Sequence, residues 1–319
     1  MGNKKNGCRS RGYNMISKIT QKERVLLLMG GSSPEREVSM DSGNECFSAL
    51  KTIGYDVIKL DPGPSIINDI LEINPDIVFN SLHGIWGEDG HIQSILEHLR
   101  IKYTHSGVIS SAKAMNKIIS KQIFMDNDIP VAKSYDLNNL NNINIDFPII
   151  IKPINGGSSI GIQFIKSEKQ LLNYVNDYKS SLNNFFAEDF IHGSDYTCGV
   201  IGRNTTEIAE IKTNNIIFDY KSKYQSNLTE HIIPANLKPN IYEKMKYYAL
   251  KAHDSLNCRS VSRVDFRYST ESEDELICLE VNTQPGMTKK SLLPELASNM
   301  GIPFTELVSW IIRDASIDR

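Results

Sequence analysis

The sequence lacks long apolar runs, a cysteine framework and an excess of basic residues. No apolar stretch approaches the ~20 residues that a membrane-spanning helix requires. The net charge of −3 argues against a dedicated nucleic-acid binder, because such proteins carry basic surfaces. The five cysteines include no CxxC spacing, which argues against a thiolate zinc site and favours reduced thiols. We therefore expect a soluble, cytoplasmic protein that binds neither nucleic acid nor membrane.

The N-terminal segment lacks targeting signals as well. Residues 1–23 are basic and polar, without the apolar stretch of a secretory signal. The sixth position also lacks the Ser or Thr of a myristoylation site. We expect residues 1–23 to form a disordered extension, with Met15 as an alternative start.

The chain does contain an alternation of strand and helix patterns. Its 319 residues exceed one compact core, so two or three domains are expected. From Arg24 to Gly107 the βαβαβα order predicts a doubly wound parallel sheet, with ligands at the carboxyl ends of its strands. No GxGxxG follows the first strand, which disfavours a nicotinamide dehydrogenase. One continuous helix is predicted over residues 110–127. A later helix is predicted to pack three side chains, namely Leu171, Leu172 and Val175.

Two candidates for ligand binding lie at predicted strand ends in this first region. GGSSPEREVS enters a helix, whose N-terminus favours anions, and its Glu35 offers a partner for an ammonium group. The alternative is an ordinary Gly-Gly turn with capping residues. In NSLHGIWGEDG, His83 is predicted to end the third strand, where a functional role competes with that of a packed or capping histidine.

A phosphate site is indicated in the middle of the chain. FPIIIKPINGGSSIGIQFI predicts strand, turn and strand, with Lys152 at a strand end and small residues over 155–159. Backbone N–H groups of such a loop approach phosphate oxygens closely, and Lys117 on the preceding helix adds positive charge. A plain β-hairpin is the alternative. FFAEDFIHGSDYTCGVIG, further along, predicts a second strand, turn and strand.

A metal site is predicted on a hairpin near the C-terminus. SVSRVDF and ICLEVN are strand-like and separated by a polar turn. Side chains two apart on a strand share a face, so Asp265, Glu280 and Asn282 are expected beside Arg263. Three hard oxygen ligands and an arginine suit a divalent cation on substrate phosphates. The alternative is an exposed acidic hairpin.

The polar stretch from Thr213 to Ala235 has little periodicity and carries Lys223 and Tyr224. A long polar loop inside a globular chain is usually either disordered or an active-site lid.

Six motifs together resemble a known family. GGSSPEREVS, LHGIWGEDG, KPINGGSSIG, YKSKY, SRVDF and LEVNTQPGMTKKSL occur in the order found in D-alanine–D-alanine ligases of the ATP-grasp superfamily, from about Val25 to the end. The resemblance implies an α/β protein with a Rossmann-like N-terminal domain followed by a two-subdomain α+β ATP-grasp fold. The implied divisions are 1–23 (extension), 24–112 (substrate domain), 113–192 (central subdomain) and 193–319 (C-terminal subdomain with lid and metal site).

The resemblance also implies a reaction and its site residues. The family joins two D-alanines for peptidoglycan synthesis, with ATP as co-substrate, two Mg²⁺ or Mn²⁺ ions and a homodimer. Implied catalytic residues are Glu35, Ser158, Tyr224, Arg263, Gly286 and Ser291. Implied amino-acid contacts are His83, Ser291 and Leu292. Implied nucleotide contacts are Lys117, Lys152, Gly157, Ser158, Ser159, Glu188, Asp189, Phe190, Ile191, Asp195 and Lys223. Implied metal ligands are Asp265, Glu280 and Asn282.

The chain departs from the family pattern in three places. Asn116 stands where Asp is frequent, Asp195 replaces a commoner Glu, and Ile85-Trp86 replaces small or basic residues. None of these changes removes a group with an implied catalytic role, and Tyr224 favours dipeptide over depsipeptide formation. Two alternatives are an ATP-grasp ligase for another amino acid, and an inactive nucleotide-binding module. The inactive module would be expected to lack a metal ligand or a phosphate lysine, and the sequence keeps them all.

Overall fold

The computed structural model describes residues 23–140, 144–213, 229–269 and 275–318. The predicted N-terminal extension, except its last residue, and the lid residues Lys223 and Tyr224 therefore lie outside the described residues.

The first sheet is parallel, as the βαβ order predicts. Its strands are β1 (Arg24–Leu28), β2 (Asp56–Leu60), β3 (Ile77–Asn80) and β4 (Lys102–Tyr103), in the order β2-β1-β3-β4. The helices of this region are α1 (Arg36–Ile53), α2 (Ile66–Ile73) and α3 (His91–His98). The short strand β4 was not predicted from the sequence.

The central strand β1 is covered on both faces, which explains its uninterrupted apolar run. Val25 and Leu27 belong to one hydrophobic cluster, whereas Leu26 and Leu28 belong to another. Helix α1 ends at Gly54, whose backbone is left-handed at φ 112° and closes the helix with a hydrogen bond to the carbonyl of Leu50. Because both faces are covered, a ligand can reach this part of the sheet only at the ends of its strands.

The predicted helix over residues 110–127 is wrong in one respect, because the structure divides it into two. These are α4 (Val108–Met115) and α5 (Lys117–Asp126), with Asn116 extended between them. The Asn116 side chain accepts hydrogen bonds from the N–H groups of Ile118 and Ile119, at 3.1 and 3.0 Å. An Asn that caps a new helix competes with continuation of the old one.

The second sheet is antiparallel and follows α5. It contains β5 (Ser134–Tyr135), β6 (Ile149–Pro153), β7 (Gln163–Ile165) and β8 (Phe185–Asp189), in the order β5-β8-β6-β7. Helix α6 (Glu168–Asp177) and a 3₁₀ turn (Leu182–Asn184) precede β8. Leu171 of α6 is buried but Leu172 is 54% exposed, so the prediction that Leu172 packs is wrong. Adjacent residues lie ~100° apart around a helix, and only one of the two reaches the sheet.

The third sheet is antiparallel and carries the predicted metal hairpin. Its strands are β9 (Ser194–Ile201), β10 (Asn204–Thr213), β11 (Thr229–Ile232), β12 (Val261–Tyr268) and β13 (Leu276–Asn282), in the order β11-β10-β9-β12-β13. Helices α7 (Pro239–Ser255), α8 (Leu292–Asn299) and α9 (Phe304–Arg313) complete this part. The strands β8 and β9, predicted as strand, turn and strand, belong to different sheets. The turn between them crosses from one sheet to the other.

Helix α9 returns to the first sheet. Its Ile311 and Ile312 belong to the same buried cluster as Val25 and Leu27 of β1. None of the helices in the four described ranges has both the length and the apolar character that a bilayer crossing demands.

Candidate active site

A cavity opens between the second and third sheets, where β8 passes into β9. Predicted site residues from both sheets line it, namely Lys117, Lys152, Gly157, Ser159, Glu188, Asp189, Phe190, Ile191, Asp195, Asp265 and Glu280. These residues are spread over more than half of the chain, and the fold brings them together around one space.

The floor of the cavity is the hairpin of β12 and β13, which pair as predicted. Arg263 pairs with Asn282, and Asp265 pairs with Glu280, so all four lie on one face. The Asp265 carboxylate accepts from Arg263 at 2.9 and 2.7 Å. It also accepts from the Thr197 hydroxyl at 2.6 Å. The carboxylate is therefore fixed in position by neighbouring donors.

This donor set fits a divalent cation that prefers oxygen. It contains two carboxylates and an amide, which are hard ligands of the kind that Mg²⁺ binds. Asn282 donates its amide N–H to Asp265 at 3.1 Å, and rotation of that amide would present its oxygen instead. Among the described residues there is no group of three or more His, Cys, Asp or Glu placed to hold a metal. The candidate therefore rests on this mixed set.

Lys117 connects the floor to the glycine-rich loop. Its Nζ lies 3.1 Å from the Glu280 carboxylate and donates to the carbonyl of Gly156 at 2.7 Å. Ser158 and Ser159 both adopt positive φ values, 52° and 57°. Left-handed backbone at two consecutive residues that are not glycine is unusual and concentrates at ligand-binding loops. The loop is thus held in a bent form above the floor.

Glu188 is buried between two lysines, of which the sequence predicted only Lys152. Both oxygens of its carboxylate are paired, one with Lys152 and the other with Lys121 at 2.5 Å. Burial acts to raise the pKa of Glu188, but the two ammonium groups outweigh it and hold that pKa below its ordinary value. Burial lowers the pKa of Lys121. For Lys152 burial acts in the same direction, yet the Glu188 carboxylate prevails and raises its pKa.

Arg267 is a second residue that the sequence reasoning missed. Its guanidinium pairs with Asp195 at 3.0 Å and donates to the carbonyl of Ile191 at 2.7 Å. The same group lies 5.0 Å from the centre of the Phe190 ring. A signal for Arg267 was present, because it continues the alternation of Arg263 and Asp265 along β12.

The other end of the candidate site lies beyond the residues that line the cavity, where Glu35 joins the first sheet to the glycine-rich loop. Glu35 is buried at the start of α1 and accepts a hydrogen bond from the Ser158 hydroxyl. Two of the implied catalytic residues, Glu35 and Ser158, are therefore in contact, while Tyr224 lies outside the described residues. Gly84 packs against the Glu35 carboxylate with φ 71°, so closely that a Cβ there would lie 2.6 Å from it.

His83 lies three residues beyond β3, so the prediction that it ends the strand is wrong. The chain leaves the sheet at Asn80 to form the loop that carries it. His83 Nδ1 is 2.9 Å from Glu88, and Nε2 is 3.2 Å from the Ser42 hydroxyl. Burial raises the pKa of the Glu88 carboxyl, and His83 opposes this effect. The neighbouring Trp86 is exposed and stacks on His91, with ring centres 5.5 Å apart.

The turn after β13 lies close to this loop. Met287 donates its backbone N–H to Ser42 at 3.1 Å. Ser291 occupies the position before α8 without a side-chain capping hydrogen bond, and its hydroxyl accepts from the N–H of Thr288 at 3.1 Å. Leu292, the first residue of that helix, is buried. Gly286 precedes Met287, and a Cβ there would lie 3.0 Å from the Ser291 hydroxyl.

Comparison with known proteins finds close relatives over nearly the whole chain. Residues 117–313 match the family described as "D-ala D-ala ligase C-terminus". A D-alanine–D-alanine ligase from Parvibaculum lavamentivorans is 42% identical over 94% of this chain and 100% of its own. One from Xanthobacter autotrophicus is 44% identical over 93% and 99%.

Solved structures agree with these matches. The D-alanine–D-alanine ligase from Bacillus anthracis, in complex with ATP, superposes with a TM-score of 0.79 at 29% identity, over 92% of this chain and 97% of its own. A D-Ala:D-Ser ligase from Enterococcus faecalis superposes at 0.76 with 25% identity, over 92% and 99%.

Proposed function

The chain belongs to the family of D-alanine–D-alanine ligases, and from that premise we propose how its cavity joins two D-alanines at the expense of ATP. The observation that carries the proposal is the single cavity in which lysines, a bent glycine-rich loop and a carboxylate floor converge. Such a set neutralises a triphosphate and holds its terminal phosphoryl group near an acceptor.

The reaction proceeds in two steps. The carboxylate of the first D-alanine attacks the γ-phosphorus of ATP, which releases ADP and leaves an acyl phosphate. The amine of the second D-alanine then attacks the acyl carbon, and the tetrahedral intermediate expels phosphate to give D-alanyl-D-alanine. The enzyme must therefore stabilise negative charge twice and exclude water from the acyl phosphate.

The nucleotide end of the cavity is proposed to bind ATP with the residues implied by the family pattern. Lys117 and Lys152 would contact phosphate oxygens, and the backbone of residues 157–159 would add N–H donors. The segment from Glu188 to Ile191 and Asp195 would enclose the adenosine. Lys223 is included in this proposal from the sequence pattern alone.

The floor is proposed to hold two Mg²⁺ ions, for which Mn²⁺ could substitute, through Asp265, Glu280 and Asn282. The bound ions would supply charge neutralisation at the phosphate oxygens. Lys117 already reaches Glu280 at 3.1 Å, so the lysine and the floor are close enough to act on the same phosphate.

The other end is proposed to bind the amino acids. Glu35 would take the ammonium group of the first D-alanine, with His83 beside it. Arg263 and the Gly286 backbone would stabilise the tetrahedral oxyanion. Ser291 and Leu292, at a helix N-terminus, would bind the carboxylate of the second D-alanine. The contact of Ser158 with Glu35 supports a trio completed by Tyr224.

We further propose the domain division given by the sequence, at residues 24–112, 113–192 and 193–319, because each range contains one of the three sheets. A cytoplasmic homodimer that supplies peptidoglycan precursors is proposed from the family. The dimer is tested by sedimentation of the purified chain.

The decisive experiment is a coupled assay of ADP release, with the product identified by mass spectrometry. ADP release from ATP and Mg²⁺ is expected to require D-alanine and to yield D-alanyl-D-alanine. D-Serine, D-lactate and L-alanine serve as controls. Stimulation by another amino acid alone would mean a ligase of different specificity. ATP binding without ADP release under any condition would mean an inactive nucleotide-binding module.

A further inference from the structure

Two amides meet in the interior where the first sheet touches the turn after β13. Asn80, at the end of β3, is 1% exposed, and Gln284 is 2% exposed. The Asn80 amide nitrogen donates to the Gln284 oxygen at 2.8 Å. The Gln284 amide nitrogen in turn donates to the carbonyl of Leu82. Gln284 is 204 positions from Asn80 and 202 positions from Leu82. The pair therefore joins two segments that are distant in the sequence.

The remaining groups of Asn80 are also used, within its own loop. Its oxygen accepts from the N–H of Leu82 at 3.2 Å, and its nitrogen donates to the carbonyl of Gly87 at 2.9 Å. Asn80 therefore stabilises the loop of residues 80–88 through hydrogen bonds within it. Gln284 connects that loop by hydrogen bonds to the turn that follows the third sheet.

Both partners lie next to residues proposed to bind substrate. His83 and Glu88 are in the loop that Asn80 shapes. Gln284 is two residues after Asn282 and two before Gly286. A shift of the pair would therefore change the distance between the first amino acid and the group that stabilises the oxyanion.

Ser42 provides a second connection at the same place. It is fully buried, and its hydroxyl accepts from the N–H of Met287 at 3.1 Å and lies 3.2 Å from His83 Nε2. The turn of residues 284–287 is thus bound twice to the His83 loop, through an amide and through a hydroxyl.

An apolar contact would bury the same surface without fixing its register, because dispersion and burial are not directional. An amide offers a donor and an acceptor at fixed positions, and leaving either unpaired in the interior is unfavourable. The arrangement with both amides satisfied therefore selects one separation of the two segments.

We propose that Gln284, paired with Asn80, is a positioning residue that sets the first amino-acid pocket against the catalytic turn. This role rests on the proposed ligase function. It predicts that loosening the pair weakens binding of the first D-alanine and admits water to the acyl phosphate, while ATP binding is spared.

The test uses the full-length enzyme with Gln284→Met, which keeps the length of the side chain but removes the amide. The D-alanine concentration for half-maximal ADP release is expected to rise about tenfold, which corresponds to one lost hydrogen bond. ADP formed per dipeptide is expected to exceed one, and KM for ATP should stay within about twofold of the parent value, since the change is remote from the nucleotide.

The matched control is Gln93→Met. Gln93 is 1% exposed and, like Asn80, donates to the Gly87 carbonyl, at 2.8 Å. It lies within the first region and makes no hydrogen bond to the turn of residues 284–287. Its removal is expected to lower stability while the ADP-to-dipeptide ratio stays at one. Gln284→Asn, which shortens the side chain, provides a milder variant should Gln284→Met fold poorly. It is expected to change the same two quantities by less.

A double variant with Asn80→Ala tests the pairing. Its effect on the D-alanine dependence should be smaller than the product of the two single effects, as expected for residues that act together. The inference is overturned if folded Gln284→Met and Gln284→Asn keep the parental D-alanine dependence and ratio, or if ATP and D-alanine KM values rise together. A parent enzyme that forms no dipeptide would instead refute the proposed function.

Discussion

The two ends of the candidate site are built from different interactions. The nucleotide end contains buried charges that pair with one another, as Glu188 does with Lys121 and Lys152, and Asp195 with Arg267. Hydroxyl, amide and backbone groups predominate at the amino-acid end, which joins the first sheet to the rest of the molecule. The nucleotide end is therefore organised by electrostatics, whereas the amino-acid end depends on how the first sheet meets the glycine-rich loop and the turn after β13.

This difference affects how each end would bind its proposed substrate. Ion pairs at the nucleotide end hold the ammonium groups in place, as the proposed phosphate contacts would require. At the amino-acid end, hydroxyl and amide contacts accompany the Glu35 carboxylate and the His83–Glu88 pair, so selectivity there would also depend on distances. Changes at the first end should act on ATP, and changes at the second on D-alanine.

The largest effect is expected from the floor that the two ends share. Glu280→Gln removes a carboxylate from the proposed metal site, and we expect kcat to fall about 1000-fold, since metal charge at the phosphates contributes several kcal/mol to catalysis. The measurement is steady-state dipeptide formation, with the exposed Glu72→Gln as control. Near-parental turnover would reject Glu280 as a metal ligand. It would also mean that the floor contributes little to the activity of either end.

A smaller effect, confined to the nucleotide end, is expected for Lys121→Met. Loss of a charged hydrogen bond to Glu188 is worth ~1.5–3 kcal/mol, so KM for ATP should rise about 10- to 100-fold. KM for D-alanine should remain unchanged, because the substitution lies at the nucleotide end.

Two variants serve as controls for this substitution. Lys121→Arg keeps the ion pair with Glu188 and should recover part of the ATP affinity. The exposed Lys169→Met should have no effect. Equal increases in both KM values for Lys121→Met would show that the two ends are not independent.

The smallest effect on activity is expected from a buried histidine that belongs to neither end. His253 is 2% exposed, and its Nδ1 is 2.7 Å from the Ser262 hydroxyl. Burial lowers its pKa to about 4, so the folded protein resists protonation that the unfolded chain accepts near its ordinary pKa of 6.5. The free energy of unfolding should therefore be unaffected above that pH and decrease as the pH falls toward 4.

Denaturant titrations across this pH range measure the effect. The loss attributed to His253 is about 3 kcal/mol, and His253→Gln should lack it. The ATP and D-alanine KM values at neutral pH should be those of the parent. Parallel pH profiles of stability for parent and variant would mean that His253 does not cause the loss of stability in acid. The responsible groups would then lie elsewhere, for example among the buried charges of the candidate site.

Local patterns predicted much of this arrangement. The alternation in β12 and β13 predicted the face of Asp265, Glu280 and Asn282, because neighbouring strands with a short connection pair in register. The βαβ order likewise predicted the parallel sheet. These features depend on residues close together in the sequence, or on the period of a strand.

Other features depend on contacts between distant residues and could not be predicted. The sequence spacing of Lys121 shows nothing of its partner Glu188, which is 67 residues away, and the same holds for Asn80 and Gln284. The break at Asn116 was missed because the helical pattern continues across it, while its side chain caps a new helix. The alternation along β12 included Arg267, but its partners Asp195 and Ile191 are more than 70 residues away in the sequence and did not suggest its role.

The return of helix α9 to the first sheet has a consequence for biosynthesis. Ile311 and Ile312 complete the cluster around Val25 and Leu27 of β1, to which Cys46 and Leu50 of α1 also belong. During translation this face of the first sheet is covered by α1 but stays partly exposed until α9 leaves the ribosome. We expect that exposed apolar face to engage chaperones on nascent chains, more than the central sheet, whose covering helix α6 is made between its own strands.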